Sequence, residues 1–243
     1  MLSYLRLEML QKLRDRSYFF LTLGFPVGLY LLQTNLVDKG WGAEGLPATF
    51  QFMVSMAAFG AMMTVLATGP RIARERSSGW LRQLRVTPLP SGKVVAAKIV
   101  AAMTLAVPVI VAVFVVAAIN HGIALPAWRW AAMVALMGVG TAPFAALGVA
   151  VGYLFDPDSA GIVTSGALLV LLFLGGLIMQ VKLLPETLQI LAQALPSYRF
   201  ADLAWSMAGA GRPEPASVAL IFAWTAALAT LALFAYRRDA ITS

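Results

Sequence analysis

Residues Val94 to Ile119 read V-V-A-A-K-I-V-A-A-M-T-L-A-V-P-V-I-V-A-V-F-V-V-A-A-I, with a single charge, Lys98, near the start. A helix of about 20 apolar residues crosses a hydrocarbon core roughly 30 Å thick, and this stretch is long enough to do so. Lipid offers a bare backbone no hydrogen-bond partner, so such a run is a helix. Five further runs of the same kind lie around it: Tyr18–Val37, Phe50–Pro70, Trp130–Phe155, Ala160–Val181 and Ser217–Tyr236. Pro26, Pro108 and Pro143 fall inside three of the six runs. Neighbouring helices tolerate such prolines, and mild kinks are expected.

Composition carries the same message over the whole chain. Of its 243 residues, 60% are hydrophobic and 12% charged, against about 25% charged in ordinary globular chains. Mean hydropathy is +0.81. The expected fold is therefore an all-α membrane protein of six transmembrane helices, one transmembrane domain over residues 1–243. The net charge of +7 does not point to nucleic acid, because the cations flank apolar runs and form no stripe on a polar domain. No cysteine is present, which excludes disulfides and thiolate metal sites. The long charged start and the lack of a small-residue cleavage site argue against a cleaved signal peptide.

Lys and Arg in alternate connections set the orientation. Thirteen fall on the side of the N-terminus, the Arg71–Gly92 connection and the C-terminus, and five on the other. Both termini are expected in the cytoplasm of a multi-pass protein of the cell membrane. Residues 1–16 place Leu2, Leu5, Met9 and Leu13 at helical spacing among charges, as in a helix lying in the lipid interface or packed on other protein. Residues 182–216, on the outer side, break into two short pieces at Pro185, Pro196 and the Gly209–Pro215 cluster. They are too short to span and read as re-entrant or interfacial helices.

Coupled carriers usually keep ionisable residues inside their spans. Here the acids stand at run ends or in loops, which disfavours a proton- or sodium-driven carrier. The single histidine, His121, has no second histidine or cysteine to share a metal and is expected to be a solvated loop residue. There is no H-E-x-x-H, G-x-S-x-G or Walker A run. No catalytic or metal-binding residue is assigned, and driven work needs energy from another polypeptide. Asp156-Pro157-Asp158-Ser159, the best candidate for a lipid-modifying enzyme, reads more simply as a turn and helix N-cap. Gly24-x-x-x-Gly28 and Gly148-x-x-x-Gly152 are spaced for close helix packing, within one bundle sooner than at a dimer seam.

The most informative stretch is the connection at residues 71–92, in particular Arg74-Glu75-Arg76-Ser77-Ser78-Gly79-Trp80-Leu81-Arg82-Gln83-Leu84-Arg85-Val86-Thr87-Pro88-Leu89-Pro90. It begins as a charged helical turn, sets Trp80, Leu81 and Leu84 side by side, and stops before Pro88, where the helical region is disfavoured. An apolar ridge among cations suits docking into a soluble partner's groove or onto anionic headgroups. The residues alone leave both open.

This stretch resembles the coupling helix of the membrane subunits of type-2 ABC exporters, through R-E-R-x-x-G-x-L-x-Q-L-x-V-T-P-L at Arg74–Leu89. Leu184-Pro185, Leu195-Pro196-Ser197-Tyr198 and Asp202 resemble that family's external helices before the last span. The likeness covers essentially the whole chain. Trp80 and Arg82 stand where the family often has a small residue and an acid, and Trp205 where it has a base. The resemblance implies that Arg74, Glu75, Arg76, Gly79, Trp80, Leu81 and Leu84 couple the chain to an ABC ATPase subunit. It implies two ATPase copies, which would carry the ATP and Mg, and a second permease, identical or not. This chain would then hold no cofactor of its own. Spans carrying Thr, Ser, Gln and Met without buried charge suit an amphiphilic or apolar cargo, such as a drug, natural product or lipid; a polysaccharide stays open. A scaffold or immunity protein that docks an ATPase without moving cargo would present the same docking surface.

Overall fold

Proline opens or immediately precedes most of the helices, where its missing N–H costs nothing because no helical acceptor is due there. The computed structural model describes residues 20–36, 47–78, 91–178, 181, 185–209 and 211–242, and the secondary structure among them is all helical. The expected interfacial helix at 1–16 lies outside the described residues. A π-helical turn, Phe20–Gly24, runs into α1 (Phe25–Leu36), whose second residue is Pro26. Helices α2 (Ala48–Leu66) and α3 (Thr68–Ser77) meet at Ala67, which keeps helical dihedrals. Together they make one rod of 30 residues. At a rise of about 1.5 Å per residue this rod exceeds the roughly 30 Å of hydrocarbon by several turns.

The second apolar run ends at Pro70, and the helix continues to Ser77 through the charged helical turn expected at the start of the connection. Pro70 sits in the first turn of α3, where a proline removes little. Helix α4 (Ser91–His121) carries Pro108 inside it. The fourth run divides into α5 (Ala127–Gly140) and α6 (Ala142–Leu154) around Thr141, with Pro143 in the first turn of α6. Thr141 is fully buried and its hydroxyl donates to the Gly138 carbonyl at 2.6 Å. Helix α7 (Pro157–Leu174) ends earlier than the expected Val181, because Gly176 turns the chain through a left-handed conformation at φ 70°. Two short helices follow, α8 (Glu186–Ala194) and α9 (Pro196–Gly209), at the breaks expected for residues 182–216. The chain returns through α10 (Pro215–Thr242).

Among the described residues, five rods are long and apolar enough to cross a membrane: α2–α3, α4, α5–α6, α7 and α10. The described part of the first run is shorter. The α2–α3 and α5–α6 rods form the centre, and α6 packs against α10, α3, α4 and α2. Tyr30, Met53, Ile110, Met137, Phe144 and Phe200 meet in the core. The outer helices differ sharply: Ile162, Leu169 and Phe173 on α7, with Phe222 and Phe234 on α10, are each more than half exposed. Apolar faces of this extent fit lipid or another membrane subunit and would be a liability in water.

His121 departs from expectation. It closes α4, and its Nδ1 lies 2.9 Å from the hydroxyl of the fully buried Tyr30 on α1, with the rings edge-on at 5.4 Å. The two small-residue pairs also separate. A Cβ at Gly148 would come within 2.8 Å of the Val65 carbonyl and the Thr68 hydroxyl; one at Gly152 would meet the Gly69 carbonyl at 2.7 Å. That pair serves packing inside the bundle, as expected. A Cβ at Gly24 or Gly28 would meet nothing within 4 Å.

Candidate functional site

The close crossing of α3 and α6 positions the charged end of the molecule. Gly69, Ile72, Ala73 and Arg76 recur at the spacing of one helix face. Gly69 and Ile72 lie against Gly148 and Gly152 of α6, while Ala73 clusters with Val151 of α6 and Ala160 of α7. One turn further along this face, Arg76 reaches the end of α6. Its guanidinium donates to the carbonyl of Tyr153 and, at 2.9 Å, to that of Phe155. These carbonyls lie at a helix C-terminus, where intrahelical donors run out and a cation is favoured. Arg76 also lies 3.4 Å from the Asp239 carboxylate near the end of α10. The rings of Tyr153 and Tyr236 meet edge-on at 5.1 Å one turn earlier.

Glu75 faces another way. Its carboxylate accepts from Arg71 at 3.1 Å and from Lys98 of α4 at 2.9 Å. Two consecutive residues thus tie the end of α3 to three other helices. Arg74 is exposed, and the Ser77 and Ser78 hydroxyls donate to the Arg74 and Glu75 carbonyls at 3.0 Å, finishing the helix. Gly79, Trp80, Leu81 and Leu84 lie outside the described residues. Of the seven sequence-derived coupling residues, Glu75 and Arg76 are brought together as a brace at the root of the 71–92 connection. Arg74 points away from it.

Asp156 behaves as a cap. Its carboxylate accepts from the N–H groups of Ser159 at 3.0 Å and Asp158 at 3.2 Å, and the Ser159 bond holds its carboxyl below the usual range. A group engaged in this way is poorly suited to general acid chemistry. Among the described residues, no three His, Cys, Asp or Glu side chains gather where a metal could sit.

A second polar junction, at the opposite end of α10, was only partly visible in the sequence. The buried Ser217 hydroxyl stands 2.5 Å from the Asp202 carboxylate of α9 and 3.3 Å from Glu214. Arg199 donates to Glu214 at 3.2 Å, to the Ser217 hydroxyl at 3.3 Å and, through Nε, to the Gln193 carbonyl at 2.7 Å. Burial raises the Asp202 carboxyl above its ordinary value; the Ser217 hydroxyl opposes the shift, and Glu214 adds to it. The Trp224 indole N–H donates to the Ala194 carbonyl at 2.9 Å, which ties α8 to α10.

Long apolar helices with exposed apolar faces, and charge gathered at the helix ends, define a multi-pass membrane protein. Its family follows from comparison: the chain belongs to the ABC-2 family transporter protein family, which it matches over residues 17–236. It is also 27% identical to the protein YvfS of Bacillus subtilis (strain 168), over 96% of this chain and 95% of that one. YvfS carries the name of a transport permease.

Proposed function

We propose that this chain is the permease subunit of an ATP-driven exporter. In this reading residues 18–37 complete a bundle of six spans, and the end bearing Glu75 and Arg76 faces the cytoplasm with both termini. Residues 71–92 carry the coupling helix, and α8 and α9 are re-entrant helices on the outer side. A separate ABC ATPase, present in two copies, supplies the energy, and a second permease completes the translocation path. The cargo is amphiphilic or apolar: a drug, natural product or lipid.

One observation carries the reading. The coupling-like motif at Arg74–Leu89, in a chain of this family, grows from a helix end braced to the third, fourth and last apolar runs. Force applied there meets a junction, not a loose loop, and rigid-body rearrangement of packed elements is the expected response. Spans without mid-depth charge among the described residues favour energy supplied from outside the bundle. The chain itself has no ATPase motif and is read as the non-enzymatic partner.

The test is co-purification with the products of neighbouring genes. A complex with two ATPase copies is expected, lost or uncoupled on Glu75→Ala, Trp80→Ala or Leu81→Ala. No bound ATPase under any nucleotide condition would sink the proposal.

A further inference from the structure

We infer that Asp239, through Arg76, is a positioning residue that carries motion of the coupling region into the last span. The inference rests on the exporter reading and deepens it. The Arg76 guanidinium bridges two segments that sequence holds far apart: the end of α6, through the Tyr153 and Phe155 carbonyls, and α10, through the Asp239 carboxylate. The side chains of Arg76 and Asp239 are 24% and 11% exposed, so the pair is shielded from the solvent screening that weakens surface ion pairs. The Tyr153–Tyr236 contact locks the same two helices one turn deeper.

The geometry divides the labour between neighbours. Glu75 fastens α3 to α4 through Lys98, while Arg76 fastens it to α6 and α10. An arginine suits this place because its planar fork donates in several directions at once, which a lysine cannot reproduce. At its other end α10 holds the Asp202–Ser217–Glu214–Arg199 junction and, through Trp224, the end of α8. A displacement of α3 is thereby handed to a helix that reaches the opposite face. Arg237 and Arg238 flank Asp239 and are exposed, which leaves Asp239 as the member of this group turned into the bundle.

The experiment uses the full chain with its ATPase in nanodiscs. The chain has no native cysteine, so a single Ala219→Cys, exposed near the far end of α10, reports there. A membrane-impermeant maleimide is applied with and without ATP and vanadate, and adducts are counted on this chain by mass. In the parent complex the labelling rate is expected to depend on nucleotide. Asp239→Asn is expected to keep ATPase binding and basal hydrolysis while shrinking that dependence by about two- to thirtyfold, the range of coupling changes carried by single residues. Asp239→Glu is expected to restore it, which a merely structural role would not require. Should Asp239→Asn fail to assemble, Arg76→Lys is expected to lose at least half of the dependence.

A full nucleotide response in both Asp239→Asn and Arg76→Lys overturns the inference. No response in the parent complex does the same, as does loss of ATPase binding in a folded Asp239→Asn chain. Absence of any ATPase from the parent preparation is a different result, because it removes the exporter reading itself.

Discussion

The two polar junctions at the ends of α10 are built differently. At the basic end acids and bases are matched: Glu75 takes Arg71 and Lys98, and Arg76 takes Asp239 with two helix-terminal carbonyls. At the other end Asp202 and Glu214 share one buried hydroxyl and one arginine. A matched cluster holds its geometry across a wide pH range, whereas a pair of acids short of cations is sensitive to protonation. The first junction joins four helices and stands where a push would enter. The second pins the short helices α8 and α9 to the last span. One helix connects a firm joint to an adjustable one.

The firm joint depends first on backbone approach. Gly152→Val forces a side chain against the Gly69 carbonyl and Ile72 and is expected to destabilise the purified chain by about 1–3 kcal/mol in thermal unfolding. Gly24→Val, in open space, is expected to stay within about 0.5 kcal/mol. Equal effects would show that the α3–α6 crossing is not what holds this end. Next comes Arg76→Ala, which leaves the α6 carbonyls and Asp239 without the guanidinium. A loss of about 2 kcal/mol is expected, in line with charged hydrogen bonds, together with faster amide exchange at the end of α6.

The contrast in pH response is the third test. Burial raises the folded-state value of Asp202 above its unfolded value, so the folded chain holds that proton more tightly. The resulting stability is fully present below the unfolded value and is lost as pH rises through the folded one. Melting temperature should fall as pH rises over that window in the wild type and stay flatter in Asp202→Asn; identical pH profiles would contradict the assignment. The smallest effect belongs to Trp224→Phe, which removes the indole donor to Ala194. It should cost about 0.5–1 kcal/mol and loosen α8 to proteolysis without touching the basic end.

Much of this was legible in the sequence, because long apolar runs leave few alternatives to helix. The two outer pieces followed from their prolines, and the Asp156 cap from residue types alone. What failed depended on partners remote in the chain. The charged turn beyond Pro70 was expected to be helical and α3 does run on to Ser77, but its partners, Lys98, the end of α6 and Asp239, were not visible. Glu75 and Arg76 carry part of the resemblance to a coupling helix, but a polar connection gives no sign of what lies beside it in space, here Lys98, the α6 carbonyls and Asp239. His121 looked solvated because Tyr30 lies 91 positions away in sequence. The fifth run ended early, because Gly176 turns the chain at φ 70° before the expected Val181.

The most direct measurement is a cross-link from the coupling region to the ATPase. A single cysteine at Trp80 or Leu84, in a chain that has none of its own, would carry a short photoreactive group in the complex purified from the membrane. A covalent product with the ATPase subunit, changing in yield on ATP binding, is the expected result. Products with lipid alone, while an ATPase remains bound elsewhere on the chain, would contradict the placement of the coupling helix in the residues that follow α3.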